Sequence, residues 1–378
     1  MREAAPRRFS APSGLRAKNL SLYLLREALG GVLVIGAVTL SAILLVDVVE
    51  QLRSVGARAE VSLASAMQLT LLRSPLLLEQ ALPFVVLTGV LFALIRLNRR
   101  SELVVMRAAG LSPWALAAPC GALALGLGLA AGALLNPLGA KLQHAYEAER
   151  AALLGRDEAA SRQFWFTQTG GRNIQILIRA GSVQPPQSAL QDVTVFFFQM
   201  EQGRRVLRRR LDAPSARLDA KALLLEDVVE TAPSLGAARH AQVRLPTRLT
   251  KAGLSQRGES GTAAVYDLPR LIREGREAGL QTQRDEIRLN EVLATPMLLL
   301  AMALFAVAFS MRLQRLGGLF TWALFGLGAG FAAYFFGEIS AALASTGAVP
   351  SMAAGWGPPL AALFAACAAL ATVETLRE

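Results

Sequence analysis

This chain of 378 residues has only two histidines and two cysteines. His144 and His240 stand far apart, without an HExxH run and without cysteines or paired carboxylates at ligand spacing, so no metal site is expected. Neither is placed beside a GxSxG turn, which leaves a serine hydrolase without its base. No GxxxxGK(S/T) occurs, so the chain has no phosphate-cradling loop of its own for ATP. Cys120 and Cys367 fall in apolar runs and read as small apolar residues. Catalytic groups and cofactors are therefore not expected. The formal charge of +11 lacks an aromatic-interleaved basic motif in a continuous soluble domain, which speaks against nucleic acid and for anionic lipid.

Charge itself is scarce over long stretches. Residues 28–46, 80–95, 108–140, 292–311, 316–337 and 339–373 each lack Asp, Glu, Lys and Arg, in a chain that is 53% hydrophobic. A helix crosses a bilayer with about 20 apolar residues, so these runs predict six spans, the last over 358–373. The second run is short and is expected to extend back to about Leu69, with Arg73 and Glu79 snorkelling or facing protein. Arg2, Arg7, Arg8, Arg16, Lys18, Arg26, Arg96, Arg99, Arg100, Arg107, Arg312, Arg315 and Arg377 then share one side, against Arg53, Arg58 and Arg73 in the short loops of the other. Basic residues are retained on the cytoplasmic side, so both termini face the cytoplasm. The first apolar run is too long for a cleaved leader, although Ala57-Arg58-Ala59 imitates a cleavage site.

Between spans three and four the composition turns polar and strand-like. NIQILIRAG sets Ile174, Ile176 and Ile178 against Asn173, Gln175 and Leu177, the period of a strand with one buried face. VTVFFFQM (193–200) is apolar on both faces, and Glu201-Gln202-Gly203-Arg204 reads as a turn into RVLRRRL. ALLLEDVVE (222–230) and AQVRLP (241–246) add further strands, so a small antiparallel sandwich or open barrel is expected. Its inner face is either an ordinary filled core or a trough for acyl chains; both use the same inward residues. Arg204, Arg205, Arg208, Arg209 and Arg210 would suit phosphates or form a solvated face. The glycines of GLGLAAG (126–132) and FGLGAG (325–330) lie inside spans and read as helix-packing residues.

The stretch RLNRRSELVVMRAAGLSPW (96–114) packs four arginines, a glutamate and a glycine stop between two spans. Ser101 or Asn98 can cap a short helix, Glu102 complements its dipole or pairs with Arg99, Gly110 ends it, and Ser112-Pro113 opens span three. Leu103 and Met106 with flanking charges would form a rigid cytoplasmic knob able to dock on an ATPase.

RSELVVMRAAGLS, VDVVEQLRSVG after span one, Pro75 and Pro83 around span two, the strand insert, GLGAGFAAYFFGEIS and GAVPSMAAGWGPP together resemble the LptF/LptG permeases of the lipopolysaccharide exporter, more closely the LptG branch. The resemblance implies six transmembrane helices with an inserted periplasmic β-jellyroll-like domain in the bacterial inner membrane. It implies a membrane half at 1–140 with a coupling helix at 98–110, a β domain at 141–266, a helical connector at 267–290 and a second membrane half at 291–378. It also implies partners: a homologous LptF-like subunit, a dimeric LptB-like cytoplasmic ATPase, a single-span LptC-like protein, a periplasmic bridge protein and lipopolysaccharide. Arg99, Arg100, Glu102, Leu103, Met106, Arg107 and Gly110 fall on the ATPase-coupling helix. Asp47, Glu50, Arg53 and Arg58 at the outer end of span one, with Ile174, Ile176 and Ile178 in the β domain, are the candidates for lipid contact. Asp47 stands where some relatives place a lysine, and Ser54 where some place a second basic residue, so the phosphate contacts depart from the family pattern. An LptF-like half, a permease for another lipid and a non-transporting envelope scaffold are the alternatives; an expendable Glu102 would favour the scaffold.

Overall fold

Helices that carry almost no charge along their middles and strands that alternate in polarity divide the chain as expected. The computed structural model describes residues 15–56, 62–154, 164–169, 174–184, 189–201, 204–219, 222–232, 236–247, 263–277, 282–312 and 319–375. Among them, six helical stretches are long and apolar enough to cross a membrane. We number the helices α1 (Leu15–Gly56), α2 (Leu63–Arg99), α3 (Glu102–Ala108), α4 (Pro113–Ala130), α5 (Asn136–Leu154), α6 (Leu268–Glu277), α7 (Gln283–Arg312), α8 (Leu319–Ser345) and α9 (Ser351–Thr375). The strands are β1 (Phe164–Thr169), β2 (Ile174–Gln184), β3 (Ala189–Glu201), β4 (Arg204–Asp219), β5 (Ala222–Ala232) and β6 (Gly236–Pro246).

The helices outrun the charge-free intervals because their flanking charges find partners. In α1, Glu27 pairs with Arg96 and Asp47 with Arg73, so both acids are tolerated within the helix. α2 begins at Leu63, capped by Ser62, whose hydroxyl accepts from Ser65 N at 3.1 Å; it extends well beyond 80–95, as expected. α9 starts at Ser351 rather than near Pro358, since Pro358 and Pro359 are accommodated inside it. Residues 141–154, expected in the β domain, continue the helix of span three to Leu154.

α2 and α7 form the centre of the bundle, with Leu87, Leu94, Leu97, Leu103 and Leu116 among its fully buried side chains. Close approach depends on glycine. A Cβ on Gly31 would meet Gly89 O at 2.3 Å, and one on Gly89 would meet Val32 Cα at 2.6 Å, so α1 and α2 touch backbone to backbone. Gly128 does the same for α4 against Pro296 of α7, within 2.5 Å of its Cα, which accords with the packing role read for GLGLAAG. Between α4 and α5 lies one π-helical turn, Ala131–Leu135. Its widened ladder leaves a carbonyl to spare, and Tyr266 Oη donates to Ala133 O at 3.0 Å while Val265 N donates to Asn136 Oδ1 at 2.9 Å. The chain returning from the β domain is thereby stapled to the top of span three.

The six strands form one antiparallel sheet in the order β1-β2-β3-β4-β5-β6. Consecutive order makes the sheet an antiparallel meander. Glu201 pairs with Arg204, as the turn reading requires, whereas β1 has no counterpart among the expected strands. Ile176, Ile178, Val193, Val195, Leu211, Leu223, Leu225 and Val228 pack together on the inner face. Register shifts at Phe197/Phe198, and the left-handed Asp192 and Asp227 (φ 52° each) mark further irregular positions.

Candidate functional site

Among the places where charged side chains of the described residues come together are the end of the bundle at α3, the opposite end of α1, and a cavity between α2, α7 and α8.

At α3 the backbone enforces two sharp reversals. Ser101 adopts a left-handed conformation (φ 62°), and Gly110 does so at φ 94°, which only glycine tolerates readily. Ser112 caps α4 by accepting from Ala115 N at 3.1 Å, as read from Ser112-Pro113. The start of α3 departs from expectation: Ser101 occupies the cap position but makes no side-chain capping bond, because its left-handed backbone differs from the extended geometry in which a serine cap reaches forward. Arg99 belongs to α2 and Arg100 caps its end, so the separate helix starts later than residue 98.

Glu102 does not pair with Arg99. Its Oε2 accepts from Tyr23 Oη, across from α1. One helical turn along α1, Glu27 meets Arg96. Leu103 is fully buried in the membrane core and Met106 packs partly against it, so neither is a free docking knob. Their apolarity seats α3 under the bundle. The apolar side chains turned outward are Val104 and Val105, the latter 65% exposed, flanked by exposed Arg99 and Arg100; Arg107 is half-buried.

At the other end of α1, Asp47 is only 7% exposed. Arg73 Nη1 lies 3.1 Å from its Oδ1, and Gln51 Nε2 donates to Oδ2 at 3.3 Å. Gln51 also reaches Tyr146 Oη at 3.2 Å, and the Arg73 guanidinium lies over the Tyr146 ring at 5.8 Å. Asp47 is thus consumed by an internal cluster joining α1, α2 and α5; it faces protein and not ligand. Glu50 and Arg53 remain exposed beside it, and Arg58 lies outside the described residues.

The cavity, about 550 Å³, is lined by Glu79 from α2, Arg284, Arg288 and Glu291 from α7, and Tyr334 and Glu338 from α8. Asn136 Nδ2 donates to Glu79 Oε1 at 2.9 Å; Glu79 Oε2 is buried without a hydrogen-bond partner among the described residues. Of these residues, only Glu79 stands out in the sequence. Glu338 separates two charge-free runs, which disguises it as a boundary although it lies inside α8.

The family model for the lipopolysaccharide export system permease LptF/LptG matches residues 22–372, taking in every span and the inserted sheet. The chain belongs to the LptF/LptG family. No individual curated protein matches it. An LptF/LptG protein is a multi-pass inner-membrane permease component of an ABC transporter and is not itself catalytic. With the inserted sheet periplasmic, α3, one span earlier, is on the cytoplasmic side, and the Asp47 cluster lies toward the periplasm.

In this LptF/LptG chain the three isoleucines read as lipid contacts differ in their surroundings. Ile176 and Ile178 are buried in a packed core, and Ile174 alone of the three opens outward, at 40% exposure. Near that end the Arg209 guanidinium covers the Phe197 ring at 4.0 Å and approaches Glu230 at 3.7 Å, while Arg210 pairs with Asp212 at 2.7 Å. Arg209 and Arg210 of the basic cluster are therefore engaged within the sheet.

Proposed function

We propose that this chain is the LptG-like membrane half of an ATP-driven extractor that takes lipopolysaccharide from the outer leaflet of the inner membrane and passes it to a periplasmic bridge. A dimeric cytoplasmic ATPase supplies the work, and an LptF-like half and a single-span protein complete the assembly. The observation that carries this reading is that α3 is tied to α1 both directly and through α2, the helix before it. Leu103 seats α3 in the core, Glu102–Tyr23 ties α3 to α1, and Arg96–Glu27 ties α2 to α1 at the same end. A push on Val104 and Val105 from below is thereby delivered to α1 rather than absorbed by a loose loop. α1 and α8 are also the least buried spans, with 11% of their most apolar windows covered against 50% for α2 and 56% for α7, which supports a second membrane subunit against them.

Two substitutions separate contact from transmission. Val105→Asp places a charge at the apolar contact, and the ATPase is expected to fall away on affinity purification of the complex. Tyr23→Phe leaves the docking face intact; the ATPase is expected to remain bound while lipopolysaccharide-stimulated hydrolysis falls several-fold. Full ATPase retention in Val105→Asp, with wild-type export, would overturn the coupling role.

A further inference from the structure

The cavity between α2, α7 and α8 has a charge balance that a purely anionic ligand would not match. Three carboxylates, Glu79, Glu291 and Glu338, face it against two guanidiniums, Arg284 and Arg288. Charged side chains within spans are costly and are retained where they meet a pathway or a ligand. Glu291 and Glu338 lie in each other's field, and Tyr334 stands beside them on the cavity wall. Two like charges in a sheltered site are held more easily when a cation shares them. Among the described residues no three acidic, histidine or cysteine groups have metal-holding spacing, so the cation that fits is larger than a metal ion and carries its own hydrogen-bond donors. The orphaned Oε2 of Glu79 is an acceptor waiting for such a donor. Arg288 stands within electrostatic reach of both Glu79 and Glu291, so positive and negative recognition groups alternate across one opening.

Position narrows the ligand. α7 begins at Gln283, on the periplasmic side, and Glu291 lies eight residues in, about 12 Å along the axis at 1.5 Å per residue. α8 ends at Ser345, on the same side, seven residues beyond Glu338. This is headgroup depth for the outer leaflet, and about 550 Å³ is within the range of small-molecule sites, about 300–1,000 Å³.

We infer that this cavity binds a zwitterionic lipid headgroup, its primary ammonium held among Glu79, Glu291 and Glu338 and its phosphate toward Arg284 and Arg288. The site recognises a phosphate next to an amine, whether presented by a membrane phospholipid or by an amine-modified lipopolysaccharide.

Native mass spectrometry of the full chain, purified with its bound subunits and exchanged into micelles of defined lipid, tests this. Phosphatidylethanolamine is expected to be retained about tenfold better than phosphatidylglycerol, which lacks the cation, and better than phosphatidylcholine, which has no N–H donors. Glu338→Gln and, independently, Glu291→Gln are expected to lower phosphatidylethanolamine retention about fivefold and leave phosphatidylglycerol unchanged. Equal retention of the two lipids in the wild type, or undiminished phosphatidylethanolamine retention in both glutamine variants, overturns the inference. Competition by lipid A bearing phosphoethanolamine distinguishes the sources: displacement supports the inference with cargo as the ligand, and persistence supports it with a resident phospholipid. The inference goes beyond the transport reading and fails separately from it. Export with no headgroup preference removes only this site, whereas a preserved preference with no export removes only the transporter.

Discussion

The cytoplasmic end of the membrane bundle and the cavity near its periplasmic end handle charge in different ways. At the cytoplasmic end Glu27 meets Arg96, Glu102 meets Tyr23, and Leu103 is fully buried beside them in the core of the bundle. At the periplasmic end, Glu79, Arg288, Glu291 and Glu338 surround an open volume. Paired charges in a filled environment hold helices in fixed relation, which suits a part that must pass on a displacement. Charges that line an open volume can also meet a ligand, which suits a part that must accept something and release it. One bundle thus has a stiff cytoplasmic end and a receptive cavity, and α2 runs through both.

Glycine substitutions break this comparison most directly. Gly89→Leu drives a side chain into the α1 backbone, where even a Cβ would come within 2.6 Å of Val32 Cα. Overpacking of a filled interior costs about 1–3 kcal/mol and more where backbone must move, so the variant is expected to accumulate poorly and to melt many degrees lower in detergent. Next, Leu103→Ala removes a fully buried side chain from the stiff end and is expected to cost about 2–5 kcal/mol, read as a loss of thermal stability together with weakened ATPase binding. Arg73→Ala strips the partner from Asp47, whose side chain is 8% exposed; since Arg73 itself is 35% exposed, a cost of about 1–3 kcal/mol is expected, smaller than for a fully buried pair. A much larger loss would make the Asp47 cluster the true anchor of α1. Smallest in stability is Gly337→Leu at the receptive cavity, where a Cβ would meet nothing within 4 Å. Accumulation and melting are expected to stay within about 1 kcal/mol of wild type, since leucine is the better helix former, while lipid retention drops. Equal damage from Gly89→Leu and Gly337→Leu would abolish the distinction.

Sequence reading and structure part ways along the same line. Charge-free runs and the Ser112-Pro113 and Gly110 signals locate the spans and the short helix, because solvation of charge and backbone strain are local properties. Partners that arise only when helices meet are not readable. Nothing near Glu102 in the chain announces Tyr23, seventy-nine residues away, and Arg99 is the nearer candidate. Leu103 resembles half of an exposed knob because a seven-residue helix shows too little period to tell its buried face. Asp47 passes for a ligand-facing charge since its partner Arg73 lies on the next helix. Glu291 and Glu338 escape notice for a different reason: a rule that ends spans at charges treats an intramembrane carboxylate as a border. In the β domain, alternation identifies the face shared by Ile176 and Ile178 but does not tell a filled core from a groove, which is a property of the opposing strands.

The meander order of the β domain bears on how the protein is made. Each strand pairs with its immediate predecessor, so no hydrogen-bonded neighbour has to be awaited from a distant part of the chain. Sheets built from such local pairings close small loops and fold quickly for their type. As the segment emerges from the translocation machinery, hairpin can add to hairpin before α7 has been synthesised. The bond from Tyr266 to the π-helical turn then ties the segment that returns from the β domain to span three.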